Sequence, residues 1–217
     1  MYRRRMLSVC GVLAGGPGIV GSTSGQLAEP QPASRQTAPI AHRFSGTGPV
    51  LTDAFTLKDG VTTVEFDHDG ESSFRAELVG DDMDSDEPLV EEHGATEGGC
   101  AVVTEDDSYV LEITADGAWT VECEQPAVDG VNPALPPYTD SGTGVNYAGP
   151  VLLSWMTELT GTHHGDGSFS VWAYTADGSS HHLIEAGGTV EESTSPRIEG
   201  ATWFDVDADG KWQLEVI

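Results

Sequence analysis

The chain has 217 residues, with 36 acidic side chains against 9 Lys plus Arg and a formal charge of −27. That balance excludes nucleic acid as a partner, because phosphate recognition requires a basic face. With 27 glycines, 12 prolines and 7% aromatic residues, the composition suits short strands joined by many turns better than long helices.

Residues 1–25 open on Arg3-Arg4-Arg5, continue through a Gly/Ala/Val-rich stretch to Val20 and end in small residues, the pattern of a signal peptide. Arg3-Arg4-x-Met6-Leu7 resembles the twin-arginine export motif, which implies a secreted protein exported already folded. Cys10 comes too early in the apolar stretch to suit a lipid attachment site. No later run approaches ~20 apolar residues, so no membrane span is expected. Without the leader, 6 basic residues face 36 acids. Those acids are spread evenly, as on a hydrated surface adapted to high salt, where repulsion is screened over a few ångströms. The alternative use of such a surface is to attract cations or a basic partner. Residues 26–41, with three prolines and no periodicity, read as a disordered linker.

From 42 to 126 the chain gives short β-type runs: 54–57, 61–66, 74–79, 100–104, 109–115 and 119–124. A Pro-rich connector follows at 127–137, and a similar series fills 138–217, with runs at 151–157, 169–175, 181–185, 202–208 and 212–216. Helical periodicity is lacking throughout. The expected fold is all-β: two tandem antiparallel β-sandwich domains, jelly-roll-like, from an internal repeat. Phe74 matches Phe169, Trp119 matches Trp212, and His68-Asp-Gly70 matches His163-His-Gly165. Tyr109–Cys123 and Thr202–Val216 both centre on Ala-Asp-Gly with a Trp just after it. Parity reads each as a hairpin with a three-residue turn, Ile113 opposite Trp119 and Val206 opposite Trp212, both apolar sets on one face. Thr175-Ala-Asp-Gly178 repeats the turn and sets His182 opposite Trp172 and His181 opposite Ala173.

Asp205-x-Asp207-x-Asp209-Gly210 matches the opening of a calcium loop, but Val216 stands where the bidentate Glu belongs. These residues therefore read as a turn following outward-facing strand positions. Asp81, Asp82, Asp84 and Asp86 form an acid-rich run that offers oxygen ligands to a hard cation, calcium being the candidate; a hydrated loop is the alternative. His163-His164 and His181-His182 fall in separate turns and strands and do not suggest a zinc site. Cys100 and Cys123, in an exported chain, predict a disulfide, with two buried thiols as the alternative.

Trp119 and Trp212 read as core. Trp155, Trp172 and Trp203 occur in the second half alone, and Trp172 and Trp203 fall on the strand face turned away from the core. With His182 opposite Trp172, these aromatics are the candidate ligand-binding residues. The competing reading makes that face an interface between the two halves. Nucleophile elbow, zinc-protease helix, phosphate loop and dinucleotide fingerprint are all missing, so a non-enzymatic role with no cofactor is expected.

The export signal, acidic balance and Phe…Tyr…Ala-Asp-Gly-x-Trp repeat resemble the tandem β-sandwich modules of secreted proteins from halophilic archaea. They are also similar to the pre-peptidase C-terminal and CUB-like sandwiches appended to exported enzymes. The resemblance implies a non-catalytic binding or adhesion module, recognising a glycan or a surface protein through its second half. Other readings are a structural spacer or envelope component, or a calcium-stabilised accessory domain.

Overall fold

The computed structural model describes residues 39–80, 87–126 and 131–217, and these fold as an all-β structure. The first strands are β1 (Ile40–Thr47), β2 (Val50–Leu51), β3 (Phe55–Leu57), β4 (Gly60–His68), β5 (Ser73–Gly80), β6 (Glu87–His93), β7 (Thr96–Thr104), β8 (Asp107–Thr114) and β9 (Ala118–Gln125). They make two antiparallel sheets, β1-β9-β4-β7 and β2-β8-β5-β6, with β3 also paired to β8. The remaining strands are β10 (Tyr138–Thr143), β11 (Asn146–Leu153), β12 (Leu159–His164), β13 (Ser168–Thr175), β14 (Ser180–Gly187), β15 (Val190–Thr194), β16 (Gly200–Ala208) and β17 (Lys211–Val216). Their sheets run β10-β17-β12-β15 and β11-β16-β13-β14. With β2 and β3 together standing where β11 stands, the two pairs of sheets have the same strand order.

Each pair of sheets encloses its own apolar core, built by period-two alternation. Tyr109, Leu111 and Ile113 of β8 meet Trp119, Val121 and Cys123 of β9 in the first; Phe204 and Val206 of β16 meet Trp212, Leu214 and Val216 of β17 in the second. These strands are not the hairpins that parity suggested. β8 pairs with β5, Leu111 opposite Leu78, while β9 pairs with β4 in the other sheet, Val121 opposite Phe66. Likewise β16 pairs with β13 and β17 with β12. The Ala-Asp-Gly segments cross from one sheet to the other. Parity could not separate the two arrangements, because both bury the same side chains together. The third Ala-Asp-Gly does form a hairpin: β13 pairs with β14, Trp172 opposite His182 and Ala173 opposite His181.

The crossings are tied to their neighbours. Asp116, in the β8–β9 crossing, accepts the backbone N–H of Glu71 and of Ser72, each at 3.2 Å. His68, fully buried, donates Nδ1–H to Gly94 O at 3.0 Å and turns Nε2 to 3.4 Å from Asp116 Oδ1. In the second sandwich Asp209 accepts from Asp166 at 3.2 Å and Gly167 at 2.7 Å. There His163 bonds Gly188 O at 2.8 Å, with Nε2 at 3.0 Å from Asp209 Oδ1. Gly70 and Gly165 lie where any Cβ would collide with that carboxylate and ring.

Cys100 and Cys123 are free, buried thiols, and the expected disulfide is overturned. Both are register partners of Val64, Cys100 from β7 and Cys123 from β9, with β4 between them. Two strand spacings separate their Cα atoms by roughly 9.5 Å, beyond the ~7 Å a disulfide can bridge. Burial raises both thiols, Cys123 to about 12.

The outer face of β4 and β7 packs on the outer face of β11, β13 and β16, so the sheets stack four deep. Val61, Ala101 and Trp203 are buried at this contact, with Val131, Tyr147, Tyr174 and Ala201 packed around them. β7 approaches closely because Gly98 and Gly99 carry no side chain; a Cβ on Gly99 would stand 3.0 Å from the Tyr147 ring.

An acidic cleft beside Trp172

Alternation along β13 and β16 sends Phe169, Val171, Ala173, Phe204 and Val206 into the core and presents Ser170, Trp172, Tyr174, Trp203, Asp205 and Asp207 on the opposite face. Registers place Trp172 beside Asp205, Tyr174 beside Trp203 and Ser170 beside Asp207. β7 covers part of this face. Where the cover ends, a cleft of about 420 Å³ opens, lined by Glu87, Ser170, Trp172, Tyr174, Asp205 and Asp207 among others.

The four candidate ligand residues part company here. Trp172 is 37% exposed and stacks on His182, ring centroids 4.5 Å apart and planes within 19°. His182 in turn bonds Ser170 Oγ at 3.2 Å and lies 3.1 Å from Glu185 Oε2. The indole face on that side is therefore taken up by the imidazole. Trp203 is 3% exposed, enclosed between the two sandwiches, and no ligand reaches its face; its expected binding role is corrected to a packing one. The reason is that the contact between the two sandwiches uses the same sheet face. Trp155 is 69% exposed but sits between β11 and β12, in a turn where Thr157 N–H donates to Ser154 O, and does not line the cleft.

Asp205 is the carboxyl of the cleft that the second sheet pair shares with β7. It lies on the outward face of β16 as expected, and there its carboxyl meets β7, where Oδ1 accepts the N–H of Ala101 at 2.9 Å. Burial pushes it up to about 7, partly offset by the Ala101 hydrogen bond and reinforced by Asp207 and Glu87. Asp207 is raised by burial and by Glu185, and Glu87 by burial alone. Tyr174 is raised as well, first by burial and then by Asp205. The cleft thus gathers carboxyl groups held above their usual range, a pattern associated with functional sites. Chemically it offers hydrogen-bond acceptors, hydroxyls and one aromatic plate. Strand parity on β16 already put Asp205 and Asp207 on the face of Trp203; what parity lacked was the sheet that covers it.

Asp81, Asp82, Asp84 and Asp86, the candidate cation ligands, lie outside the described residues. Among the described residues there is no group of three or more His, Cys, Asp or Glu side chains arranged to hold a metal ion. His163 and His181 are not brought together: His163 is clamped inside the second core, while His181 is exposed on β14. No helix among the described residues is long and apolar enough to cross a membrane.

No protein-family model matches the chain, and no curated protein matches it. Among solved structures it is similar to the PBSX exported protein XepA, at 10% identity and a TM-score of 0.26, over 84% of this chain and 87% of that one. It is also similar, again at 10% identity, to the regulatory subunit of a cAMP-independent protein kinase A from Trypanosoma brucei, with a TM-score of 0.20 over 81% and 74%. A third is Bacillus subtilis oxalate decarboxylase, at 10% identity and a TM-score of 0.19, over 82% and 72%. Likenesses this distant leave the geometry of the cleft to speak for itself.

Proposed function

We propose that the chain is a secreted, non-catalytic binding module of two tandem β-sandwiches, residues 42–126 and 138–217, and that it takes a glycan in the cleft beside Trp172. The observation that carries this reading is a partly exposed indole, stacked on His182, at a cleft lined with carboxyl and hydroxyl groups. A sugar ring has an apolar C–H face and a rim of hydroxyls. The indole suits the first, and Asp207, Glu87 and Ser170 accept from or donate to the second. The acidic surface disfavours anionic glycans and favours neutral or amine-bearing ones. The leader-like residues 1–25 support export, and the acid excess supports a high-salt setting.

The test is retention on a panel of immobilised neutral and amino glycans. Trp172→Ala is expected to abolish retention while the protein still unfolds cooperatively, with a loss of less than about 1 kcal/mol. If the unaltered protein ignores every glycan yet stays at the cell surface, the spacer or envelope role takes the place of this reading. A melting temperature that falls on chelation at constant ionic strength would instead favour calcium-stabilised adhesion through the acids at 81–86.

A further inference from the structure

The cleft beside Trp172 has a charge pattern that a neutral ligand leaves unanswered. Glu87, Asp205 and Asp207 line it together with Ser170, Trp172 and Tyr174, and among the described residues that line it there is no Lys, Arg or His. Glu185 acts on Asp207, and Asp207 on Glu92, so two more carboxylates lie within electrostatic reach. The neighbouring imidazole of His182 is engaged by Glu185 at 3.1 Å. Arg43, Lys58 and Arg75 are paired elsewhere, with Glu122, Asp106 and Glu77. Like charges gathered without a counter-charge repel one another, and a bound cation relieves all of these repulsions together.

Strand registers say where such a cation fits. Trp172 has His182 opposite it on β14 and Asp205 opposite it on β16. The imidazole stacks on the indole from the β14 side, so the indole face toward β16 is the one left for the cleft. Directly opposed side chains on antiparallel strands stand about 5 Å apart at Cβ, and diagonal ones about 7–8 Å. Asp205 is the direct partner of Trp172, and Asp207, opposite Ser170, is the diagonal one. Asp205 Oδ1 accepts the Ala101 N–H at 2.9 Å, and a carboxylate has acceptor sites beyond that one. An ammonium within about 6 Å of the indole centroid is attracted by the ring's negative face and, on this side of Trp172, reaches both carboxylates. Its three N–H groups are all donors, and the cleft supplies the acceptors.

Resting on the glycan reading, we propose that the ligand of this cleft is an amino sugar with a free, protonated amine. Its C–H face lies on the open side of the Trp172 indole, and its ammonium, at the edge of the ring, is held by Asp205, Asp207 and Glu87. Hydrogen bonds from an ammonium to a carboxylate are roughly twice as strong as those between neutral groups, so the charge carries the discrimination. A neutral sugar presents a hydroxyl in place of the ammonium and leaves the carboxylates without a counter-charge. N-acetylation removes the charge and adds a carbonyl acceptor to a cleft already rich in acceptors.

The experiment titrates the full chain with a glucosamine tetramer and with the same tetramer fully N-acetylated, by calorimetry at about pH 6, where the free amines are protonated. Salt is held at about 1 M, which screens the general attraction of cations to the acidic surface to within roughly 3 Å. The amine form is expected to bind at least about tenfold tighter than the N-acetylated form. Trp172→Ala is expected to lose both, and Asp207→Asn to bring the two within about threefold of each other. Equal or tighter binding of the N-acetylated form would overturn the amine assignment and leave the glycan reading in place. If the parent protein binds neither tetramer and no neutral glycan, both fall together. Amine binding that survives Trp172→Ala belongs to the charged surface at large and also overturns the proposal. If Asp207→Asn does not fold, Glu87→Gln is measured in its place and read in the same way.

Discussion

Trp172 and Trp203 share one face of one sheet, yet the first keeps 37% of its surface and the second 3%. Their substitutions should separate accordingly. Trp203→Ala removes a buried indole and is expected to cost about 3–5 kcal/mol by denaturant unfolding. Trp172→Ala, partly exposed, is expected to cost less than about 1 kcal/mol. Equal costs would mean that Trp172 is packing as well. The thiols give a second check at this scale. Because Cys100 and Cys123 flank Val64 across two strand spacings, reductant should leave the melting temperature unchanged, and alkylation under denaturing conditions should label both without prior reduction. The residue types alone could not say this. An exported chain with two cysteines favours a disulfide on general grounds, and only the register shows that a strand lies between them.

At the level of elements, the crossings explain why Ala-Asp-Gly and His-x-Gly recur together. The Asp of one crossing receives the backbone of the other, and the buried His closes the gap from beneath. Gly165→Ala places a methyl group against Asp209 and His163, and an expected loss of about 1–3 kcal/mol follows from overpacking. The same substitution at Gly144, around which a Cβ meets nothing within 4 Å, tests the backbone contribution on its own, since Gly144 has a φ of +69°. Much of this was legible: the runs at 61–66, 74–79, 109–115, 169–175 and 212–216 fall on β4, β5, β8, β13 and β17, with only Ala115 just beyond a strand end. The edge strands β1, β6, β10 and β15 were not, because half-exposed polar strands lack the apolar alternation that identifies a strand. The sequence carries one more signal of the repeat-like layout. Ser-Gly-Thr-Gly occurs at 45–48 and again at 141–144, and each marks the carbonyl that a core Trp bonds through Nε1, Gly48 for Trp119 at 2.9 Å and Gly144 for Trp212 at 3.0 Å.

For the whole molecule, charge and pH are the controlling variables. Asp205 is raised from an ordinary 3.8 to about 7, so between those values the folded chain holds a proton that the unfolded chain has released. Stability therefore falls as pH climbs through that window and levels off above it, by at most about 4 kcal/mol. Asp205→Asn should flatten the slope in urea melts taken across the window; an unchanged slope would assign it to other groups. Asp116 works in the opposite sense. Desolvation raises its carboxyl, but the N–H groups of Ser72 and Glu71 and the charge of His68 outweigh it and the net shift is downward. Its contribution is present above the ordinary carboxyl value and is lost as pH falls through the depressed one. With a net charge of −27, the melting temperature should also rise steeply with salt as repulsion is screened. The amino-acid sequence by itself determined the all-β class, the acidic surface, the Trp and Phe positions of the cores and the face that carries Trp172, Trp203 and Asp205, because alternation and turn chemistry are local. Only the tertiary structure decided which sheet each strand joins, that a strand separates the two thiols, and that β7 covers Trp203 and the Asp205 carboxyl while leaving Trp172 at the cleft. Those outcomes depend on which distant surface meets a given face, and a strand's own pattern is the same whichever surface that is.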